Sequence, residues 1–284
     1  MTDFVNYKNL KQAKEIIAAQ NEDGLWGNFH SLAAPKKDGF TTEQALRKLQ
    51  ILGYEISDLP IAKAVDFMSN CLSKRKIMPD KREKSHDWDA FTQLMLATWI
   101  RRFTLECAEA NLIAQKWMAV ITDAFSNGEY NHEIYLRSYE KYFGKKAKGA
   151  RLVDFVSFYQ ISLVGGMLDK KTDSKVVDYI LNKSDGIYYI YDTRLSQTPK
   201  DFASKNAVRY LAALELLSKF YSREKLRFAV EWLNENKNSN GKWDMGKTAR
   251  DNIYFPLSDS WRAAETRESD CTYRIQKLLN EIAK

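Results

Sequence analysis

The chain is poor in the residues that cross-link or interrupt a fold, with three cysteines, five prolines and twelve glycines among 284 residues. Cys71, Cys107 and Cys271 are far apart and have no cysteine or histidine beside them. This spacing argues against a disulfide framework and a zinc ribbon, and it favours a reducing compartment. The scarcity of proline and glycine is also unlike a disordered chain or a turn-dense all-β fold.

Long apolar runs are missing as well. The first fifteen residues contain no apolar stretch of signal-peptide length, and no run reaches the ~18 apolar residues of a membrane span. We therefore expect a cytoplasmic protein without a transmembrane segment. No nucleotide-binding loop, nucleophile elbow or metalloprotease motif occurs in the sequence, so those reactions are not considered further.

What the sequence does contain is an internal repeat. A small residue followed three positions later by a bulky apolar pair occurs five times, beginning at Ala13, Ala64, Ala114, Val176 and Ala229. Four of the five copies are followed by Gly-x-aromatic: Gly24-Leu25-Trp26, Gly128-Glu129-Tyr130, Gly186-Ile187-Tyr188 and Gly241-Lys242-Trp243. Two features that stay in phase over five units of ~50 residues indicate a repeated structural element.

Each unit reads as a helical hairpin. The second helices are predicted near residues 42–54, 87–105, 150–168, 201–220 and 259–282, and their wide apolar faces suit helices that are packed on two sides. We expect each glycine to end an outer helix in a left-handed conformation, and the aromatic residue to cover that helix end. The prediction is a single all-α domain over residues 1–284, with hairpins that begin near residues 9, 60, 109, 172 and 223 and close into a ring.

The segment from Gln20 to Trp26 resembles the QW motif of squalene and oxidosqualene cyclases. Residues 229–246 resemble it most fully, with Lys237 where that family prefers glutamine. The resemblance extends over all five units. It implies the α/α toroid of terpenoid cyclases and of the β subunits of protein prenyltransferases, and it implies an isoprenoid or other apolar ligand in the central cavity.

The resemblance also points to candidate catalytic residues. Class II cyclases protonate an alkene with Asp-x-Asp-Asp at the start of an inner helix, and this chain has Asp87-Trp88-Asp89-Ala90 at such a place. Asp89 would be the proton donor beside Asp87, although Ala90 replaces the third acid. The alternative is that both acids only cap the helix or complement its dipole. The zinc-binding Asp-x-Cys of prenyltransferases is replaced by Asp259-Ser260-Trp261, so we expect neither a metal nor a cofactor.

In a ring of hairpins, every connection from an outer to an inner helix lies on one face. Besides the two acids, this brings together a set of candidate ligand-binding residues: His30, His86, Trp88, His132, Tyr189, Arg194, Asp259 and Arg262. Basic clusters at residues 74–84 and 145–151 contribute to a net charge of +7. They would either attract an anionic partner or form a solvated face. Nucleic acid is not expected, because no recognisable nucleic-acid module accompanies them.

Three functions remain open at this stage. The first is an isoprenoid-binding protein or enzyme of the terpenoid cyclase or prenyltransferase type, which uses the aromatic central cavity. The second is a carbohydrate-active toroid enzyme with paired rim carboxylates drawn from Asp87, Asp89, Asp244 and Asp259. The third is a non-catalytic scaffold. An open, charged groove would favour a sugar, a deep apolar funnel a lipid, and a filled ring the scaffold.

Overall fold

The computed structural model describes residues 6–30 and 39–284. Within these residues all regular secondary structure is helical, as predicted. The α-helices, in chain order, are α1 (Lys11–Ala18), α2 (Thr42–Ile51), α3 (Leu59–Leu72), α4 (Trp88–Arg101), α5 (Ala108–Ala124), α6 (His132–Phe143), α7 (Phe158–Val164), α8 (Lys170–Asn182), α9 (Lys205–Leu217), α10 (Arg227–Glu235) and α11 (Ala264–Ile282). None of them is long and apolar enough to cross a bilayer.

The five predicted helix pairs are present. The first members are α1, α3, α5, α8 and α10, and the second members are α2, α4, α7, α9 and α11. The extra helix α6 fills the insertion that lengthens the third unit. The small residue that opens each repeat is fully buried in all five copies. This explains the repeat, because a helix can approach its neighbour closely only where the side chain is small.

Helix α7 is much shorter than the predicted 150–168. It begins at Phe158, and Ser157 caps it by accepting a hydrogen bond from the Tyr159 N–H. The residues before it are held in extended pairing, since the Tyr188 N–H donates to the Val156 carbonyl and the Phe158 N–H to the Tyr188 carbonyl. Hydrogen bonds to Tyr188 thus take the place of the helical hydrogen bonds that the apolar pattern of residues 150–168 predicts.

The glycines of the repeat lie in turns and do not end the helices, so this detail of the prediction is wrong. Each of the four follows its helix by several residues and donates its N–H to the carbonyl three positions earlier, for example Gly24 to Asn21 and Gly241 to Asn238. All four have positive φ, from 62° at Gly186 to 104° at Gly128. Glycine is therefore selected for the left-handed conformation, but by a tight turn.

The tryptophans of the first and last units close their hairpins as predicted. Trp26 and Trp243 are 2% and 1% exposed. Each indole N–H donates at 2.6 Å to a carbonyl ten residues earlier, that of Ile16 or of Leu233. The two units, at opposite ends of the sequence, thus use the same hydrogen bond to join the turn to the outer helix.

Successive second helices contact each other: α4 contacts α7, α7 contacts α9, and α9 contacts α11. Helix α2 joins α4 through the Gln50 side chain, which donates to the Arg102 carbonyl at 3.1 Å. Between α2 and α11 lies the segment 251–258, where Tyr254 accepts a hydrogen bond from Arg47 at its hydroxyl and from Arg274 at its carbonyl. These contacts are compatible with a closed ring, and the toroid itself stays a prediction.

Candidate functional site

The two candidate catalytic acids lie at the start of α4. Asp87 is its N-cap, accepts a hydrogen bond from the Ala90 N–H at 3.1 Å, and pairs with Lys145 at 2.6 Å. Burial raises the pKa of Asp87, but the hydrogen bonds from Lys145 and the backbone outweigh it and lower that pKa overall. A lowered pKa leaves less of the carboxyl group protonated near neutral pH, so that it is less available as a general acid. The capping role expected as the alternative is therefore present at Asp87.

The Asp89 side chain is 59% exposed and pairs with Arg82 at 2.8 Å. Neither Asp87 nor Asp89 lines the cavities described below. The proton-donor role stays a prediction to which this geometry lends no support.

Four of the predicted ligand-binding residues converge around Phe91. The His30 and His86 rings each lie 5.1 Å from the Phe91 ring, Trp88 packs against His86 and Phe91, and Tyr189 packs against His30. Inner-helix geometry has thus brought together residues that are far apart in sequence. The cluster is densely packed, however, and both histidines are buried.

The other four predicted ligand-binding residues are exposed and dispersed. His132 stacks on Tyr135, and its ring nitrogen is 3.1 Å from the Tyr130 hydroxyl. Asp259 caps α1 by accepting hydrogen bonds from the backbone N–H groups at 11 and 12. The Arg194 carbonyl accepts a hydrogen bond from the Gln197 N–H. The Arg262 backbone donates to the Ser260 hydroxyl and accepts from Arg267, each at 3.3 Å. The described residues hold no group of three metal-ligating side chains.

A buried carboxylate that the sequence reading missed lies beside the Phe91 cluster. Glu43, in the first turn of α2, is 1% exposed and accepts hydrogen bonds from Trp99 Nε1 and the Tyr159 hydroxyl, both at 2.8 Å. Its other oxygen is 2.9 Å from His30 Nδ1. The sequence does indicate that Glu43 is buried, because it lies three residues before Leu46 and therefore on the apolar face of α2. The carboxylate ties α2 to α4 and α7.

In the described part of the chain, α2, α7 and α9 together contribute to two cavities. The arginine cavity has a volume of about 320 Å³ and is found near the C-terminal ends of α2, α4, α7 and α9. Four cations line it, Arg47, Arg101, Arg102 and Lys219, against one carboxylate, Glu215. That carboxylate already accepts two hydrogen bonds from Arg274, both at 2.7 Å. The surplus of positive charge suits an anion.

The arginines of this cavity have neutral partners. Arg47 donates to the Tyr254 hydroxyl at 2.8 Å and lies 4.1 Å above the Phe158 ring. Arg102 donates to the Gln50 side chain and to the Ser162 hydroxyl. Burial and, next, the charge of Arg47 lower the pKa of Arg102 to about 10. The guanidinium groups are therefore partly desolvated and repel each other.

The second cavity, the tyrosine cavity, has a volume of about 550 Å³ and lies towards the N-terminal ends of α2, α7 and α9. Five tyrosines line it: Tyr159, Tyr188, Tyr189, Tyr191 and Tyr254. Three carboxylates, of Asp185, Asp192 and Asp251, face two guanidinium groups, of Arg47 and Arg209. Arg47, Phe158, Ile190 and Tyr254 belong to both cavities and lie between them.

Neither cavity contains the rim carboxylates considered for glycoside hydrolysis. Besides the three acids already placed, Asp244 is held by Arg267 through hydrogen bonds of 2.9 Å from two of its nitrogens. All four carboxylates thus have structural partners. A paired acid and base is not formed from them.

Comparison with protein-family models, with curated proteins and with solved structures finds no match for this chain. The chemistry of its cavities is therefore the basis for a functional proposal.

Proposed function

We propose that the protein binds a small organic anion with an apolar body, of which an isoprenoid diphosphate is an example, in the arginine cavity. The observation that carries the proposal is that Arg47, Arg101 and Arg102 line one cavity and that none has a carboxylate within ion-pair distance in the described parts of the chain. Guanidinium groups in such a setting bind phosphate or carboxylate through charge-assisted hydrogen bonds.

The rest of the lining supports an amphiphilic ligand. Apolar side chains also line the cavity: Ile51, Phe158, Ile190, Ala212 and Leu216. The volume is within the range of small-molecule sites. An anionic head at the guanidinium groups would leave the ligand's apolar part against these side chains and close to the tyrosine cavity.

Stabilisation of helix C-termini by cations explains the positions of only some of the arginines in this cavity. Cations are favoured at helix C-termini, and Arg101 and Arg102 do end α4. Arg47, however, lies in the middle of α2. The Arg102 guanidinium is bound to side chains of α2 and α7, away from the carbonyls of its own helix. The helix dipole does not explain why these groups meet in a cavity.

Isothermal titration calorimetry with geranyl diphosphate, pyrophosphate and geraniol tests the proposal. We expect geranyl diphosphate to bind more tightly than either fragment, because only the whole molecule uses both the charged and the apolar lining. Arg102→Gln should weaken its binding about tenfold or more. Arg262→Gln is the matched control, since Arg262 is exposed and lines neither cavity.

Circular dichroism must show that Arg102→Gln is folded. Absence of geranyl diphosphate and pyrophosphate binding to the wild-type protein would refute the proposal. Equal affinity of geranyl diphosphate for wild type and Arg102→Gln would refute it as well, because the ligand would then lie elsewhere.

A further inference from the structure

In one copy of the repeat the aromatic residue of the Gly-x-aromatic turn is exposed, whereas it is buried in the first and last copies and half-buried at Tyr130. Tyr188 occupies the position of Trp26 and Trp243 in the Gly-x-aromatic turn, where burial is nearly complete. Tyr188 is instead 46% exposed and lines the tyrosine cavity. Sites at which a sequence breaks its own structural rule are frequently functional. The aromatic side chain that closes a hairpin elsewhere has here been turned towards a cavity.

The backbone that carries Tyr188 is fixed in this position. The Tyr188 N–H donates to the Val156 carbonyl at 3.1 Å, and the Tyr188 carbonyl accepts from the Phe158 N–H at 3.1 Å. The next residue, Tyr189, has φ of +73°, a left-handed conformation that is unfavourable for tyrosine. The Tyr188 and Tyr189 rings lie with their centroids 4.2 Å apart and their planes inclined at 46°. Together they form an aromatic platform on the cavity wall.

The charges around the platform distinguish it from the arginine cavity. Asp185 is paired with Lys183, and Asp251 accepts three backbone N–H groups of its own turn. The side chains of Asp192 and Arg209 are exposed, and in residues 6–30 and 39–284 neither makes a hydrogen bond or an ion pair. One acceptor group and one donor group are thus left at the cavity for a ligand.

From this arrangement we infer that the tyrosine cavity is a second binding site, which takes a neutral, hydroxylated ring such as that of a saccharide. A pyranose ring has an apolar face that packs on tyrosine, and hydroxyl groups that hydrogen-bond to carboxylate and guanidinium groups at its edge. A neutral ligand suits a lining in which acids and bases are nearly balanced. The site adjoins the anion site proposed above and shares four lining residues with it, but its test does not depend on that proposal.

The probe is an array of neutral oligosaccharides built from glucose, galactose, mannose or xylose, followed by calorimetry with the best ligand. We expect the wild-type protein to bind at least one of these series. Tyr188→Ala should weaken binding about tenfold, because a stacking contact is lost, whereas Tyr188→Phe should retain most of the affinity. Tyr221→Ala is the matched control, since Tyr221 is 49% exposed and lines neither cavity.

The Arg102→Gln variant separates the two sites. It should bind the oligosaccharide as the wild type does while losing affinity for geranyl diphosphate. No binding to any neutral oligosaccharide overturns the inference, and so does binding that Tyr188→Ala leaves unchanged. Near-ultraviolet circular dichroism of each tyrosine variant verifies that loss of binding is not loss of the fold.

Discussion

The turn that follows α10 in the last hairpin offers the most direct test of how the repeat stabilises the protein. Trp243 is 1% exposed, its indole N–H donates to the Leu233 carbonyl, and its backbone N–H donates to the Thr272 hydroxyl at 3.2 Å. Replacing a buried tryptophan by alanine costs about 3–5 kcal/mol, from lost transfer energy and from the cavity left behind. The orphaned Leu233 carbonyl adds about 1 kcal/mol. For Trp243→Ala we therefore expect a loss of about 4–6 kcal/mol, a large part of the stability of a typical domain.

Urea unfolding followed by circular dichroism at 222 nm measures this loss. Trp243→Phe should cost about 1–2 kcal/mol, because the hydrogen bond and only part of the volume are removed. Trp26→Ala should match Trp243→Ala, since the geometry of the two turns is the same. Leu59→Ala, at a position 66% exposed, is the control and should change stability by less than about 0.5 kcal/mol. A Trp243→Ala protein within about 0.5 kcal/mol of wild type would show that the turn is not held by this side chain.

Other positions give independent tests. Burial lowers the pKa of Lys48 to about 8, so the folded protein releases a proton that the unfolded chain keeps until its usual pKa of 10.5. The unfolding free energy of wild type should thus rise, relative to Lys48→Met, by up to about 3 kcal/mol between pH 7 and pH 10.5, and a constant difference would contradict this. Burial raises the pKa of Cys271 to about 12, so iodoacetamide at pH 8 should modify it only in urea, as measured by mass spectrometry. Asp89→Asn should cost less than about 0.5 kcal/mol, since its ion pair is exposed, whereas Asp87→Ala should cost about 1 kcal/mol by loss of an N-cap. Urea titrations of the two variants decide this, and equal losses would mean that the cap is not stabilising.

The helix pairs could be predicted because their signals are local and repeated. Burial of a small residue and a bulky pair on one helix face depends on spacing alone, and a turn with positive φ selects glycine wherever it occurs. The start of α7 was missed, although Ser157 and Gln160 have the spacing of a capping box. Only the extended pairing before it lacks a local signal, because it depends on hydrogen bonds to Tyr188, some thirty residues later in the chain.

The candidate sites were predicted only in part. Four of the residues expected on one face, His30, His86, Trp88 and Tyr189, do lie near one another, but both histidines and Trp88 are buried in the interior. The arginine cavity was not predicted, because the expected site lay at the N-terminal ends of the second helices. Arg101 and Arg102 lie at the opposite, C-terminal end of α4, where a cation is already expected to complement the helix dipole.

The arginine cavity also reveals a tension between stability and binding. Desolvation and the proximity of Arg47 both disfavour the charged form of Arg102, as its lowered pKa shows. The dipole at the end of α4 acts in the opposite sense and recovers only a fraction of this free energy. Keeping Arg102 charged in this cavity therefore costs free energy. An anion bound between the guanidinium groups, as proposed above, would replace their mutual repulsion with attraction.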